Sequence, residues 1–244
     1  MKKYELVPED TIKLLGGPTK LTRIRSLVDI PGVVSVGELG GYIEHEHNLS
    51  HDGNCWIADD ARVYDHAQVS GNAKVSGFVR VFDNARVFGD AKVYANALVT
   101  DNAEISGEAL VSGRAEVSGH AQVYGNAMVF DHAWVYKDAK VYANAQVSGH
   151  AEVYGNAKVS GNAKVYDDAE VYDDAHIFGN AQVSDNAKVY DDARVYDNAQ
   201  VYGDAEVYGD AKVCGMEVLE DWHVSDGIYY GNENHLEVED DLER

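Results

Sequence analysis

Proline is almost absent from this sequence of 244 residues: there are three, and the last is Pro31. Since proline interrupts a sheet, everything after it is free to form continuous β-structure. Cysteine is equally scarce, and Cys55 and Cys214 lie too far apart to bridge within one chain, which fits a reducing compartment. No stretch of about 18 apolar residues occurs, so we expect no membrane span. The lysines of residues 1–5 precede no apolar core, so we expect no export and a cytoplasmic location.

Basic residues are few, since 20 Lys and Arg stand against 42 Asp and Glu and give a net charge of −22. The imbalance is concentrated in residues 161–244, which hold 22 acidic residues and 5 basic ones. A gradient of this kind gives an elongated molecule an acidic end. It also argues against direct binding of duplex DNA by the C-terminal half.

An aliphatic residue recurs at every sixth position from Ile57 to Val213, which gives 27 repeats without an insertion. Alanine follows nearly every one of them four residues later, as in Val-Tyr-Gly-Asn-Ala-Lys at 153–158. The alternation of Ala, an outward residue and Val has the period of a short strand. Gly, Asp and Asn then favour a corner, because they tolerate left-handed backbone. A helix is excluded, since its apolar residues would wander around the surface.

Three strands and three corners close a triangular coil of 18 residues, so the repeats predict a parallel β-helix of nine coils. Coils that stack at ~4.8 Å give a rod about 43 Å long. The sequence therefore divides into an N-terminal capping region at 1–56, the β-helix at 57–218, and an acidic C-terminal cap and tail at 219–244. We predict an all-β, single-stranded solenoid whose two open ends are covered by these flanking regions.

The repeat unit resembles the hexapeptide repeat of left-handed β-helix proteins, in which an aliphatic residue and a small residue four positions later point inward. The resemblance implies the left-handed sense, whereas ordinary crossover rules favour the other hand. Residues 21–27, 37–44, 48–50 and 53–56 resemble the N-terminal cap of a narrower group, often found in bacteriophages and prophages and loosely labelled as putative transferase. A phage source would place the protein in the host cytoplasm.

Many hexapeptide-repeat proteins are trimeric acyltransferases, and this resemblance implies a histidine base in a cleft between subunits and a loop that interrupts the coils. The repeat here contains no inserted loop. His66, His120, His132 and His150 occupy a corner position otherwise filled by Asn or Asp, which favours polar substitutes over catalytic bases. We predict no catalytic residue, and a trimeric acyltransferase is the alternative.

Metal binding is a further hypothesis, because His132 and His150 are 18 residues apart and should stack on adjacent coils. Two imidazoles at ~4.8 Å could share a metal, but no third ligand is evident. Asp173 and Asp191 form a similar ladder, whose like charges would favour a bound cation. We favour solvated corners in both cases and predict no metal and no other cofactor.

Most outward strand positions hold Lys, Arg, Glu or Gln, with Trp56 of the first coil as an early exception. An exposed apolar patch usually marks a partner surface. We therefore expect the later exceptions to be buried between subunits of a homo-oligomer, for which the resemblance favours a trimer. The exceptions at strand positions are Leu98, Leu110, Met128 and Trp134, and with Phe130 at the adjoining corner they form one apolar band in coils three to five.

Basic strand positions cluster in the early coils, and with Arg23 and Arg25 of the cap they are candidates for binding a small anionic ligand such as a nucleotide. Charge balance against the corner aspartates accounts for them equally well. The positions are Arg62, Lys74, Arg80, Arg86 and Lys92.

Outward aromatic residues recur every 18 positions, as at Tyr136, Tyr154 and Tyr172. Stacking at the corners is the structural interpretation, and a row of clefts for a planar ligand is the functional one.

These features favour a non-enzymatic, self-associating β-helix scaffold that binds a partner or a small ligand. The resemblance of the cap suggests a phage accessory protein that acts against a host defence. Such a protein would either sequester an anionic nucleotide signal or imitate nucleic acid with its acidic half and occupy a host protein.

Overall fold

Short strands account for nearly all regular structure in the computed structural model, which describes residues 2–14 and 18–230. Within these residues the helical element is a 3-10 turn at Glu46–Asn48, and no helix is long and apolar enough to cross a membrane. The N-terminal region contains three longer strands: β1 (Tyr4–Lys13), β2 (Lys20–Ser26) and β3 (Leu39–Ile43).

Twenty-seven strands follow, one for each sequence repeat. The first nine are β4 (Trp56–Ile57), β5 (Arg62–Val63), β6 (Gln68–Val69), β7 (Lys74–Val75), β8 (Arg80–Val81), β9 (Arg86–Val87), β10 (Lys92–Val93), β11 (Leu98–Val99) and β12 (Glu104–Ile105). The next nine are β13 (Leu110–Val111), β14 (Glu116–Val117), β15 (Gln122–Val123), β16 (Met128–Val129), β17 (Trp134–Val135), β18 (Lys140–Val141), β19 (Gln146–Val147), β20 (Glu152–Val153) and β21 (Lys158–Val159). The last nine are β22 (Lys164–Val165), β23 (Glu170–Val171), β24 (His176–Ile177), β25 (Gln182–Val183), β26 (Lys188–Val189), β27 (Arg194–Val195), β28 (Gln200–Tyr202), β29 (Glu206–Val207) and β30 (Lys212–Cys214).

The solenoid strands form three parallel sheets, one on each side of a triangular coil. Face 1 begins at β4 and takes every third strand, face 2 begins at β5, and face 3 begins at β6. Each strand pairs in register with the strand 18 residues away, as Leu110 pairs with Met128 and Val111 with Val129. The predicted all-β parallel solenoid is confirmed.

The solenoid has about ten turns instead of the predicted nine, because residues 218–230 add one more coil. The inward residues of this coil are Leu219, Val224 and Tyr229, which pair with Val residues of the coil before. They are five residues apart, so the six-residue pattern does not reveal them. The strands are β31 (Val218–Glu220), β32 (His223–Val224) and β33 (Ile228–Tyr230).

The interior is a narrow column of β-branched and small side chains. Ala133 and Val135 are fully buried, and the equivalent positions of the other repeats are also closed to solvent. Valine suits a strand that packs against identical neighbours, and alanine leaves room for the chain to turn toward the next side. Burial of each Val side chain contributes about 1.5 kcal/mol before chain entropy is subtracted.

Each corner contains a residue with positive φ, as at Asp131 (φ 60) and Gly149 (φ 67). Glycine and aspartate tolerate this conformation, whereas Ala143 (φ 60) adopts it against its preference. An amide ladder also links successive coils at the corner between faces 3 and 1, where each Asn side chain donates to the next at 3.0–3.1 Å. Its members are Asn126, Asn144, Asn162, Asn180 and Asn198.

The N-terminal region caps the solenoid by extending face 2. β1 pairs antiparallel with β2, β2 antiparallel with β3, and β3 parallel with β5, so this sheet has 13 strands and the other two have ten. Arg23 fixes the cap, since its Nε lies 2.7 Å from Asp10, its Nη2 lies 3.0 Å from Asp60, and its guanidinium lies over the Tyr42 ring. The edge of β5, the first solenoid strand of face 2, is therefore paired with β3 and is not open to other chains.

Trp56 occupies an outward strand position beside Lys74, but the cap covers it, and its side chain is only 2% exposed. A Cβ at Gly40 of β3 would come within 2.8 Å of the indole ring. Ile30 and Val34, from the segment between β2 and β3, are buried in the same apolar cluster. Trp56 is thus part of the contact between the cap and the solenoid.

Candidate functional site

The apolar band lies on two adjacent faces and on the corner between them. Leu110 and Met128 are neighbours on face 1, and Leu98 and Trp134 are two coils apart on face 2. Phe130 occupies the corner that joins the two faces. Trp134 is 42% exposed, and the other four are half-buried because side chains of adjacent coils cover their flanks. The structure therefore brings the five residues together on one edge of the rod.

Phe78 is an exposed aromatic residue near this edge that the sequence interpretation missed. It is 64% exposed at the corner between faces 1 and 2, two residues before the start of strand β8. The available signal was the corner Gly77-Phe78-Val79, in which an aromatic residue takes a polar position and Val79 replaces the usual alanine. The exposed apolar surface thus extends toward the N-terminal coils.

A shallow groove of about 480 Å³ runs beside Trp134 along the edge of face 2. The rings of His132 and His150 stack there with centroids 4.8 Å apart, as their spacing predicts. In the described part of the chain, no group of three or more His, Cys, Asp or Glu side chains is placed to hold a metal ion. The groove is lined by His132, Trp134, His150, Glu152, Asp168 and Glu170.

Tyrosine hydroxyls bind the glutamates of this groove. Tyr136 donates to Glu152 at 2.9 Å and Tyr154 donates to Glu170 at 3.2 Å. Burial, together with these carboxylates, raises the pKa of both tyrosines above the ordinary value. Both hydroxyls therefore stay protonated at neutral pH and link one coil to the next.

The tyrosines of this corner form a continuous stack from Tyr136 to Tyr208, with neighbouring ring centroids 4.8–5.2 Å apart. Their planes lie within 12° of one another, which is an offset stacked geometry. Because the rings already contact each other, a planar ligand would have to separate the coils. The stack therefore favours the structural interpretation of these aromatic residues.

The five early basic residues are divided among three faces. Arg62 and Arg80 are neighbours on face 2, and Lys74 and Lys92 are neighbours on face 1. Arg86 lies on face 3, where it forms an ion pair of 2.9 Å with the glutamate of the next coil. No single site on one chain brings all five together.

Neither the cap arginines nor the two lysines create a strongly positive pocket. Arg25 lies 3.4 Å from Glu5 within the cap, and Arg23 is held by the carboxylates described above. Lys74 and Lys92 line a groove of about 390 Å³ beneath the segment between β2 and β3, but two carboxylates line it as well. Arg62 and Arg80 of face 2 are therefore the better candidates for an anionic partner.

An acidic groove of about 530 Å³ follows the corner between faces 2 and 3 near the C-terminal end. One of its carboxylates, Asp191, accepts a hydrogen bond of 3.1 Å from the backbone N–H of Gly209. Such bonds from the next coil offset part of the repulsion between stacked like charges. The acidic residues that line the groove are Asp173, Asp174, Asp191, Asp192, Asp210 and Asp226.

Face 3 is basic in the same part of the rod, although the segment as a whole is acidic. Burial and its cationic neighbours Lys158 and Arg194 lower the pKa of His176. The charge gradient along the sequence therefore conceals a difference between faces. The outward residues of this stretch are Lys140, Lys158, His176, Arg194 and Lys212.

Comparison with known proteins supports a β-helix family. Residues 121–137 match a family model described as YdcK Beta solenoid repeat, and this segment contains strands β15 to β17. No curated protein matches the chain. The match and the three parallel sheets agree on a β-solenoid repeat, and neither assigns a ligand or a reaction.

Proposed function

We propose that this protein is a non-catalytic, self-associating β-helix scaffold that binds a partner or a small ligand along its side faces. The observation that carries the proposal is the apolar band, which is on the outside of a solenoid whose core is already filled. Removing the exposed part of Trp134 from water is favourable at about 25 cal/mol per Å². A closed oligomer requires the same patch on every subunit, and one contiguous band meets that condition.

The shallow grooves support the non-catalytic part of the proposal. An active site needs a concave pocket that positions a base against its substrate. His132 and His150 are exposed at a corner and stack on each other. We therefore expect no acetyl transfer, and release of free CoA from acetyl-CoA in the presence of an amine or a sugar, lost in His132→Ala, would support the acyltransferase alternative.

The same proposal includes the family of the scaffold, its source and the kind of ligand that it binds. We place it among the left-handed hexapeptide-repeat proteins and, on its cap sequence, among phage accessory proteins that act against a host defence. The pair Arg62 and Arg80 supports sequestration of a small anionic ligand such as a nucleotide. The acidic groove at Asp173 and Asp191 supports imitation of nucleic acid toward a host protein.

Self-association is tested by light scattering at micromolar concentration on the native protein and on Trp134→Glu. We expect an oligomer for the native chain and a smaller mass for the variant, because a charge in the contact would be desolvated. Lys164→Glu, an outward substitution on face 1 two coils beyond Met128, is the matched control and should keep the native mass. A native protein that is a monomer under these conditions would contradict the proposal.

A further inference from the structure

The outward residues of face 2 carry their charges in a particular order along the rod. A second copy that runs in the opposite direction would present carboxylates to the cations of the first copy and cations to its carboxylates. Two cations come first, two carboxylates come last, and two apolar residues flank a central glutamate. Along the first seven coils these residues are Arg62, Arg80, Leu98, Glu116, Trp134, Glu152 and Glu170. We propose that a second copy of this chain packs antiparallel on face 2, with a two-fold axis at Glu116.

This inference deepens the proposed self-association by naming the face, the direction and the pairs. A two-fold axis that lies in the interface, runs parallel to the strands and passes Glu116 places the third coil of one copy opposite the fifth coil of the other. The second and sixth coils face each other in the same way, as do the first and seventh. Every contact away from the axis then occurs twice, as in any isologous interface, and Glu116 meets its own copy on the axis. The facing pairs are Arg62 with Glu170, Arg80 with Glu152, and Leu98 with Trp134.

The charges that would pair across the interface are mostly unpaired within one chain. Among the described residues, no carboxylate lies within 4.0 Å of Arg62 or Arg80, and no cation lies within 4.0 Å of Glu152. Glu170 forms an ion pair of 3.1 Å with Lys188 through Oε1, and its Oε2 accepts from Tyr154, so each oxygen retains one acceptor site for a further donor. The side chains are thus available for partners on a second copy.

Phe78 supports the arrangement independently. This residue protrudes at the edge of face 2, two residues before Arg80, and 64% of its surface is exposed. Reversal about Glu116 places it opposite His150 and next to Trp134. The most exposed aromatic ring of the early coils would therefore be covered by aromatic side chains of the partner.

A parallel arrangement lacks this complementarity, because it places each coil beside its own counterpart. Arg62 and Arg80 would then face the same cations, and Glu152 and Glu170 would face the same carboxylates. Seven coils span about 30 Å and a side of six residues is up to ~20 Å wide, so the contact covers roughly 600 Å² per copy. That area is at the lower limit of stable interfaces, which predicts a dimer that dissociates on dilution.

A charge exchange tests the pairing on the full chain. Arg80→Glu or Glu152→Arg alone should raise the dissociation constant of the dimer by roughly tenfold or more, and the double variant should restore it. Lys92→Glu, which makes the same change on face 1, should leave it unaltered. Glu116→Gln should tighten the dimer, because it removes a like-charge contact at the axis.

Cross-linking tests the direction, with a bismaleimide reagent that spans about 10 Å, the distance between packed sheets. Both native cysteines are buried, so the introduced thiols react first. Glu116→Cys should cross-link to its own copy. Glu170→Cys should not, but it should cross-link when it is mixed with Arg62→Cys.

The outcomes separate this inference from the proposed function. A native monomer would contradict both. An oligomer in which Glu170→Cys links to its own copy, or in which the double charge variant stays dissociated, would overturn the antiparallel dimer and leave self-association intact. A trimer that is weakened equally by Met128→Glu and by Trp134→Glu would also overturn it, since Met128 lies on face 1 outside the proposed contact.

Discussion

Tyr154 and Tyr172 lie on successive coils with their ring centroids 4.9 Å apart and their planes within 4° of parallel. Tyr172 and Tyr190 repeat this relationship at 4.9 Å and 2°. Burial in the stack raises the pKa of Tyr172 and of Tyr190 to about 12. A phenolate would have to form between two rings that exclude water, so we expect alkali to destabilise the stack.

The free energy of unfolding should therefore be insensitive to these tyrosines up to about pH 10 and should fall between pH 10 and about 12. In that window the unfolded chain has lost protons that the folded chain still holds, and stability decreases with pH wherever the folded state binds more protons. Thermal melts across this range, with tyrosinate absorbance read in parallel, measure the effect. Tyr172→Phe with Tyr190→Phe should make the decline shallower, whereas ionisation of all tyrosines near pH 10 in the folded state would contradict the prediction.

The core column should respond strongly to the loss of volume. Val141→Ala removes two methyl groups from a fully buried position between identical strands, so we expect a loss of about 2 kcal/mol. Lys140→Ala changes the adjacent outward position and should stay within about 0.5 kcal/mol of the native value. Chemical denaturation compares the two variants. Similar midpoints for both would show that the column is not the main source of stability.

Two corner positions on adjacent coils should respond in opposite directions. Ala143 has φ 60, so Ala143→Gly relieves an unfavourable conformation and should raise stability by up to about 1 kcal/mol. Gly161 has φ +69, and a Cβ there would lie 2.8 Å from the carbonyl oxygen of Gly179. Gly161→Ala should therefore lower the melting temperature. A decrease for Ala143→Gly would mean that the alanine makes contacts that outweigh its strain.

The cap should open when its arginine is removed, and Cys55 reports on this opening. Cys55 is buried beside Lys3, whose Nζ donates to its Sγ at 3.1 Å. Arg23→Ala leaves Asp10 and Asp60 without their shared cation, so the cap should dissociate more often. We expect faster labelling of Cys55 by a thiol reagent and no change at Cys214, which is buried at the far end of the solenoid. Equal acceleration at both cysteines would indicate global unfolding instead.

The fold was predictable from sequence because each repeat specifies its own strand, its inward residues and its corner. Val135 and Ala133 point inward for reasons that are local, namely β-branching and size. The last coil was not predictable, because Leu219, Val224 and Tyr229 keep the inward pattern at a different spacing. Segments without a fixed period require knowledge of what they pack against, and the cap that buries Trp56 is the second example.

The candidate surface was only partly predictable. Spacing by 18 correctly placed Leu110 beside Met128 and His132 beside His150, since stacking follows directly from the repeat. The net charge of a sequence segment did not reveal that the faces differ in charge. A segment total adds the acidic corner residues to the cationic outward residues of face 3, so the two cancel in part. Phe78 was missed because a single corner residue has no periodic signal, and its exposure is a property of the assembled rod.

The amide ladder from Asn126 to Asn198 has a consequence for how such a rod changes length. Each asparagine donates to an identical group 18 residues later, so duplication of one whole coil supplies both the donor and the acceptor that the new neighbours need. A gain of six residues would keep the core and move every later side chain to the next face, which would scramble the surface. A gain that is not a multiple of six would turn valines outward unless a corner absorbed the difference, as the corners of the last coil do at their five-residue spacing. Related rods of different length should therefore differ by whole coils, each of which adds ~4.8 Å to the rod.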